Sequence, residues 1–191
     1  MKALDLFCGL GGWSDGLAME GFDVLGVDIE AKIAELYKHP VICTDVRMLD
    51  GSRFTGFDLI VGSPPCREFT TMAKAFGHRW KKPPCLDSGL ELVNSFLGFV
   101  DAAQPRFWLM ENHPNLAKYI GEYKVQARLS KGMRRGFWGD FPNFLIPCDY
   151  GKPSIWKHNW NHDLRSWQRA IIPLPVARAL GRAVKNALET S

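Results

Sequence analysis

The sequence has few of the features that mark secreted, metal-bound or membrane-spanning proteins. Its five cysteines are an odd number without a Cys-x-x-Cys pair, which argues against a disulfide framework and a structural zinc site. No apolar run approaches membrane-spanning length, and Asp5 interrupts the apolar start before a secretion signal could form. Internal repeats, low-complexity tracts and linkers are also lacking. These absences predict one domain over residues 1–191 in a reducing cytoplasm, with neither a metal nor a membrane partner.

The net charge of +4 conceals an uneven distribution along the chain. Residues 1–60 carry five Lys/Arg against ten Asp/Glu, whereas residues 61–191 carry 19 basic and ten acidic residues. An acidic first third and a basic remainder suggest a partner with phosphates that meets the later part of the chain. Ordinary variation of the surface is the alternative explanation.

Strand and helix patterns alternate through most of the chain. Such strand–helix units predict an α/β fold, in which a mostly parallel sheet carries helices on both faces. No regular element is predicted over residues 121–141, and residues 151–168 are expected to form a loop followed by a short strand. Ser14 is expected to be a helix N-cap. The predicted strands are 3–7, 23–27, 41–44, 57–61, 106–110 and 143–150, and the predicted helices are 14–20, 31–37, 88–103 and 175–188.

Polar motifs follow the first three strands, at the sheet edge where parallel α/β proteins bind ligands. The turn at residues 8–12 is rich in glycine, which would let the backbone pass close to a ligand. Asp28 is placed to accept hydrogen bonds from ribose hydroxyls, by the logic that assigns the acidic residue of dinucleotide folds. Asp45 could accept one from an adenine amino group, with Ile29 packing on the ring. The turn alone would also suit a tight strand-to-helix connection.

A potential nucleophile follows the fourth strand. Cys66 comes directly after two prolines, and because proline restricts φ, its thiol is held in a defined direction. The adjacent Arg67 would favour the thiolate. Glu111 ends the next apolar strand and is expected at the same sheet edge, where a carboxyl group could stabilise charge on a substrate. Taken singly, a buried structural cysteine and a solvated glutamate are the alternatives.

Four segments resemble motifs of the DNA cytosine-5 methyltransferases. They are DLFCGLGG at 5–12, GSPPC at 62–66, MEN at 110–112 and IPLPVA at 172–177. The resemblance implies a class I methyltransferase (Rossmann-like) fold, S-adenosylmethionine (AdoMet) as cofactor and DNA as the partner. The stretch 151–156 resembles small phage-type members, which suggests a prokaryotic or viral origin.

The resemblance also implies a reaction, in which a methyl group moves from AdoMet to C5 of an extruded cytosine. The Cys66 thiolate would add to C6 and thereby load electron density onto C5. The implied catalytic residues are Cys66, Glu111 and Arg128; the implied cofactor contacts are Asp5, Phe7, Gly9, Gly11, Gly12, Asp28, Ile29, Asp45, Val46 and Pro64; and the implied substrate contacts are Arg67, Asn112 and Lys152.

The later half of the chain departs from the family pattern. Only residues 114–168 are available as a variable, substrate-contacting region, so sequence specificity must be slight or come from a basic segment, a protein partner or a second copy. The stretch Gln126-Ala127-Arg128 is similar to the family's Gln-x-Arg-x-Arg motif but lacks its final arginine. Ala170 stands where the family has an asparagine before its last motif. Residues 169–191 are expected to complete the cofactor pocket.

Two clusters of basic and aromatic residues are candidates for nucleic-acid contact, because Lys and Arg bind phosphates and aromatic rings stack on bases. A solvated charged face is the alternative for both. The first contains Arg67, Lys74, Arg79, Lys81 and Lys82 with Phe69, Phe76 and Trp80, and the second contains Lys124, Arg128, Lys131, Arg134 and Arg135 with Phe137 and Trp138.

Three other functions remain compatible with the sequence. Ser-Pro-Pro-Cys differs by one residue from the Ser-Pro-Pro-aromatic motif of exocyclic amino methyltransferases, which form no covalent adduct. A homologue that binds AdoMet or nucleic acid without turnover would explain the weak late motifs. RNA cytosine is a further possible substrate, because the same nucleophile geometry serves tRNA in one branch of the family.

Overall fold

The structure, a computed structural model, describes residues 1–76, 78, 83–130, 133–146 and 164–190. These residues form a seven-stranded sheet. Its strands are Lys2–Leu6 (β1), Asp23–Asp28 (β2), Val41–Cys43 (β3), Leu59–Gly62 (β4), Phe107–Asn112 (β5), Val125–Ser130 (β6) and Met133–Asp140 (β7). The order is β3-β2-β1-β4-β5-β7-β6. Strands β1 to β5 pair in parallel, and β7 runs antiparallel to both β5 and β6.

Helices cover both faces of this sheet. Successive strand residues point to opposite faces, so each strand contributes to two cores. On one face Leu17 of the first helix and Leu180 of the last pack over Ala3, and on the other Phe96 of the long central helix packs over Leu4 and Ile60. The helices are Gly12–Met19 (α1), Ala31–Leu36 (α2), Thr71–Phe76 (α3), Leu86–Ala103 (α4), Ala117–Ile120 (α5), Arg165–Ala170 (α6) and Leu174–Glu189 (α7). The predicted α/β architecture is confirmed.

Neither a membrane span nor a metal cluster is found within the described ranges. No helix there is long and apolar enough to cross a bilayer. No group of three His, Cys, Asp or Glu side chains there could hold a metal ion.

The strands and helices predicted before residue 113 are all present, with ends that shift by up to two residues. The predicted N-cap is wrong. Helix α1 begins at Gly12 behind Gly11, which has φ of 84° and no side chain to cap the helix. Ser14 lies inside the helix, fully buried, and its hydroxyl donates to Asp5.

Predictions for the later half were less successful. The β6–β7 hairpin occupies the range 121–141, for which no element was predicted. Its pattern is obscured by Gly136 and Gly139 inside β7; Gly139 has φ of 141°, and a Cβ there would lie 2.2 Å from the Trp108 carbonyl oxygen. The strand predicted over 143–150 is wrong for 143–146, which have no regular structure, and its remainder lies outside the described residues. Residues 165–170 form α6, so no strand lies at the end of the range 151–168, and residues 151–163 of that prediction lie outside the described residues.

Candidate active site

A cavity of about 530 Å³ opens at the carboxyl ends of the parallel strands. Its volume falls in the usual range for small-molecule sites, and its position is the one at which sheets of this kind bind ligands. The wall joins the predicted cofactor residues to the predicted nucleophile. It includes Phe7, Gly9, Gly12, Asp28, Ile29, Asp45, Val46, Pro65, Cys66 and Arg67, with Trp167, Ala170, Ile171 and Ile172 from the end of the chain.

The glycine turn after β1 is needed for backbone shape and for packing. Gly9 and Gly11 have φ of 51° and 84°, in the left-handed region that glycine adopts without steric cost. Gly12 has a different role, because a Cβ there would lie 2.5 Å from the backbone nitrogen of Ile172. Gly9 and Gly12 line the cavity, whereas Gly11 faces the ring of Tyr37. The turn therefore admits both a ligand and the returning end of the chain.

Asp28 lies on the cavity wall in a fixed orientation. Its Oδ2 accepts from the Gly9 backbone N–H at 2.9 Å, and its Oδ1 accepts from that of Glu30 at 3.0 Å. The next residue, Ile29, is 60% exposed and presents an apolar side chain to the cavity. A held carboxylate beside exposed apolar surface fits a nucleoside with ribose hydroxyls and a flat ring.

Asp45 lies on the wall with its carboxylate bound by Arg47. The backbone N–H of Arg47 donates to Oδ1 at 2.9 Å, and its guanidinium donates to both carboxylate oxygens. These side-chain hydrogen bonds lower the pKa of Asp45, so the group stays ionised. Arg47 also donates to Glu91 of α4 at 2.9 Å, which links the loop after β3 to that helix.

Three predicted cofactor contacts, Asp5, Gly11 and Pro64, do not line the cavity. Asp5 does not line the cavity, because it points from β1 into the core beneath α1 and is 1% exposed. Its Oδ2 accepts from the Ser14 hydroxyl at 2.6 Å, and that hydroxyl also contacts the hydroxyl of Tyr37. Its Oδ1 has no hydrogen-bond partner among the described residues, and burial raises the pKa of Asp5 to about 7. Pro64 is likewise buried behind Pro65.

The loop that carries the thiol is tied to the end of β5. Asn112 is fully buried, donates from Nδ2 to the Pro64 carbonyl oxygen at 2.9 Å and accepts from the His113 N–H at 2.8 Å. Asn115 donates to the carbonyl oxygen of Phe69 at 2.9 Å. The predicted substrate contact by Asn112 does not fit this structure: the side chain is buried, with Nδ2 bound to the loop that carries Cys66 and Oδ1 bound to the backbone of His113.

Cys66 and Glu111 are brought together through an arginine. Arg135 of β7 donates from Nη1 to the Cys66 Sγ at 3.3 Å, and its Nε lies 3.1 Å from Glu111 Oε1. Both ion-pair partners are largely buried, with side-chain exposures of 11% and 4%. The Glu111 contact is an ion pair but not a hydrogen bond, so Oε1 keeps no hydrogen-bond partner among the described residues. A buried acceptor is thus left available beside a half-buried thiol.

Three effects act on the pKa of Cys66. Burial raises it most, the charge and hydrogen bond of Arg135 lower it, and the charge of Glu111 raises it. The arginine therefore offsets part of the desolvation that disfavours the thiolate.

The arginine beside Cys66 and Glu111 is Arg135, not the predicted Arg128. Arg128 lies exposed on the edge strand β6, opposite Arg134 in the register. From the sequence, Arg135 was assigned only to a basic cluster. The Gln-x-Arg similarity lies in β6, the wrong strand of the hairpin. The adjacent arginines at the start of the next strand, β7, were the sequence signal that could have identified Arg135.

The other predicted substrate contacts are placed differently. Arg67 is exposed, lines the cavity and pairs with Glu68 at 3.6 Å. Lys152 lies outside the described residues, as do Arg79, Trp80, Lys81, Lys82, Lys131 and the stretch 151–156.

The strand order, the single antiparallel strand β7 among those described and the cavity at the carboxyl edge define the class I AdoMet-dependent methyltransferase fold. Residues 1–137 match the family of C-5 cytosine-specific DNA methylases, and the chain belongs to this family of enzymes. Membership identifies AdoMet as the cofactor. The Rossmann-like fold, the cofactor and the family expected from the four motifs are confirmed.

Individual relatives agree with this assignment. The chain is 30% identical over 189 residues to the type II methyltransferase M.AgeI of Thalassovita gelatinovora, covering 92% of this chain and 42% of that protein. It is 28% identical over 164 residues to M1.HphI of Haemophilus parahaemolyticus, covering 80% and 42%. A crystal structure of a candidate DNA modification methyltransferase encoded within an E. coli prophage matches with a TM-score of 0.52 and 25% identity, covering 73% of this chain and 46% of that one. The chain thus spans less than half the length of these relatives.

Proposed function

We propose that this chain transfers a methyl group from AdoMet to C5 of cytosine in DNA, with Cys66 as the nucleophile. The observation that carries the proposal is the bridge of Arg135 between the thiol and the Glu111 carboxylate, on the wall of a cavity that also contains Asp28. AdoMet, when bound, supplies an electrophilic methyl group.

The residues around the thiol suit each stage of this reaction. The Cys66 thiolate adds to C6, and the C5–C6 electron pair becomes available at C5 for methylation. Glu111 holds the N3/N4 edge of the base, where its free acceptor meets the amino group, while Arg135 stabilises the thiolate by its charge. Loss of the C5 proton to a base then expels the thiolate and restores the aromatic ring.

The cofactor is held at the other end of the cavity in this proposal. Asp28 accepts from the ribose hydroxyls, Asp45 faces the adenine amino group, and Ile29 covers the ring. Phe7, Gly9, Gly12 and Val46 also line the cavity, and Ala170, Ile171 and Ile172 support a role for residues 169–191 in completing the pocket. We assign residues 1–191 to one methyltransferase domain on the same grounds.

The region available for recognising a DNA sequence is short in the proposed enzyme. Residues 114–168 are a short variable region, and we assign the substrate contacts to Lys152 in this region and to Arg67 in the loop after β4. A second copy of the chain or a protein partner supplies further recognition. The bacterial sources of the relatives favour a cytoplasmic protein of prokaryotic or viral origin.

The covalent route predicts a trapped adduct on DNA that contains 5-fluorocytosine, because fluorine at C5 cannot leave as the C5 proton does. With AdoMet present, the wild-type protein should form an adduct that mass spectrometry locates at Cys66. Cys66→Ser should form none while it binds AdoMet with unchanged affinity. Cys85→Ser, which replaces an exposed cysteine away from the cavity, should form the adduct at the wild-type rate.

Three outcomes would contradict the proposal. Methylation of an exocyclic amino group, with no adduct, would place the chain in the other methyltransferase class. AdoMet binding without methyl transfer to DNA would reduce it to a binding protein, and transfer to RNA alone would change its substrate.

A further inference from the structure

The start of β7 projects beyond the carboxyl edge of the sheet. Asn112, the last residue of β5, pairs with Gly136, so Arg134 and Arg135 extend past the end of that strand. They remain paired with β6, in which Ala127 is opposite Arg135 and Arg128 is opposite Arg134. Arg128 of β6 and Arg134 of β7 therefore lie directly opposite each other on one face of the hairpin.

The Arg128–Arg134 pair is an unfavourable arrangement for the protein alone. Like charges directly opposite in an antiparallel pair are destabilising, and both side chains are exposed. The ion pairs found within the described part of the chain include neither of them. Two arginines on opposite strands at the same register position, with no carboxylate paired to either among the described residues, are suited to an external anion.

This pair is adjacent to Arg135 in the hairpin but faces its other side. Arg135 follows Arg134 in the chain and, because strand side chains alternate, points to the opposite face, where it donates to the Cys66 Sγ at 3.3 Å. Consecutive Cα atoms are about 3.8 Å apart. A nucleotide whose base enters the cavity must leave its phosphates outside, close to this point of the hairpin.

We propose that Arg128 and Arg134 form a seat for a phosphate of the DNA backbone beside the extruded cytosine. This inference rests on the proposed function for its substrate. The guanidinium fork matches a phosphate with two parallel hydrogen bonds, and the basic balance of residues 61–191 agrees with an anionic partner. The seat holds the strand in register without reading its sequence, which suits a chain with a short recognition region.

The proposal predicts a change in the salt dependence of DNA binding. Binding of a fluorescent cytosine-containing duplex is measured by anisotropy over a salt series for the wild type, Arg128→Ala, Arg134→Ala and the double variant. Removing both arginines should reduce the slope of log K against log salt by about 0.9, the value for one phosphate contact, and each single variant should lose part of that amount. The Arg128→Lys/Arg134→Lys double variant should keep most of the slope, because it keeps the charges.

Arg106→Ala is the matched control. Arg106 is exposed and precedes β5, at the opposite edge of the sheet, so the variant loses one charge far from the cavity and should retain the wild-type slope. The double alanine variant should bind AdoMet with unchanged affinity and should melt no lower than the wild type, since a repulsive pair has been removed.

An unchanged slope in the double alanine variant would overturn the phosphate seat, as would an equal effect of Arg106→Ala. A lowered melting temperature with lost AdoMet affinity would show that the pair is structural. Salt-dependent binding of RNA or an acidic protein through these arginines, without DNA binding, would overturn the assigned partner. Failure of the proposed reaction is distinguished by nucleoside analysis of the product, which is independent of these binding slopes.

Discussion

Arg135 contacts both the Cys66 thiol and the Glu111 carboxylate. The thiol of Cys66 is disfavoured as a thiolate by burial and by Glu111, and the guanidinium is the nearby positive charge that counters both. The ion pair with Glu111 in turn keeps the guanidinium in place at 3.1 Å. One side chain therefore lowers the pKa of the Cys66 thiol and also links that thiol to the Glu111 carboxylate.

Replacing Arg135 with Gln should raise the pKa of Cys66 further, because the charge is lost while desolvation remains. A higher pKa means less thiolate at neutral pH, so alkylation of Cys66 by iodoacetamide should slow and its pH profile should shift to higher pH. Formation of the 5-fluorocytosine adduct should shift in the same direction. Arg135→Lys should restore part of the profile.

The measurement is the alkylation rate of the free protein across pH, followed by peptide mass spectrometry. Arg106→Gln, at the far edge of the sheet, should follow the wild-type profile. A profile unchanged by Arg135→Gln would remove Arg135 from the control of the thiol.

The contact between α1 and the end of the chain depends on two small residues. A Cβ on Gly12 would lie 2.5 Å from the Ile172 backbone nitrogen, and a Cβ on Gly16 would lie 2.3 Å from the Cβ of Ala177. Both neighbours belong to the C-terminal segment that ends in α7, and Ile172 lines the cavity. The two glycines thus determine how closely α1 and the C-terminal segment approach each other beside the cavity.

Gly12→Ala should move residues 171–172 away from α1 and lower the affinity for AdoMet. Overpacking of this kind costs about 1–3 kcal/mol in the free energy of unfolding. The matched control is Gly98→Ala in α4, where a Cβ meets nothing within 4 Å and where replacing glycine should stabilise the helix by about 0.5–1 kcal/mol. Urea denaturation and AdoMet titration of both variants measure the two effects. Equal stability of the two variants would contradict this role of Gly12.

The sheet places an acidic residue in the core of the molecule. Asp5 lies under α1, and its burial, opposed by the Ser14 hydrogen bond and reinforced by the charge of Asp28, raises its pKa to about 7. In the unfolded chain an aspartate ionises near 3.9. Between these values Asp5 holds its proton more tightly in the folded state than in the unfolded state, so its contribution to stability falls as pH rises through this window.

Asp5→Asn should remove this dependence, because an amide does not ionise. The free energy of unfolding of the variant should rise relative to that of the wild type from about pH 4 to about pH 7. Urea denaturation at several pH values measures the difference. The control Asp23→Asn, which replaces an exposed residue of β2, should follow the wild-type curve. A constant difference between Asp5→Asn and the wild type would show that Asp5 does not titrate in this range.

By itself the sequence determined the first five strands, the glycine turn, the ordered Asp28 and Asp45, and the pairing of Cys66 with Glu111 at one sheet edge. These features are local: each is carried by a short run of apolar residues and the polar residue that ends it, and parallel strands bring such ends to the same edge. Family membership followed from the same short motifs.

Only the tertiary structure decided which arginine meets the thiol, why Asn112 is buried, where Asp5 points and what Gly12 accommodates. Each of these depends on contacts between segments far apart in the chain: the register of β7 against β5, the loop after β4 against the end of β5, and α1 against the C-terminal segment. Periodicity reports which face of an element is apolar, but it carries no information on the register between two elements. A shift of one residue in a strand moves every side chain to the other face. The adjacent Arg134 and Arg135 are therefore equivalent candidates in the sequence, although they face opposite sides in the folded protein.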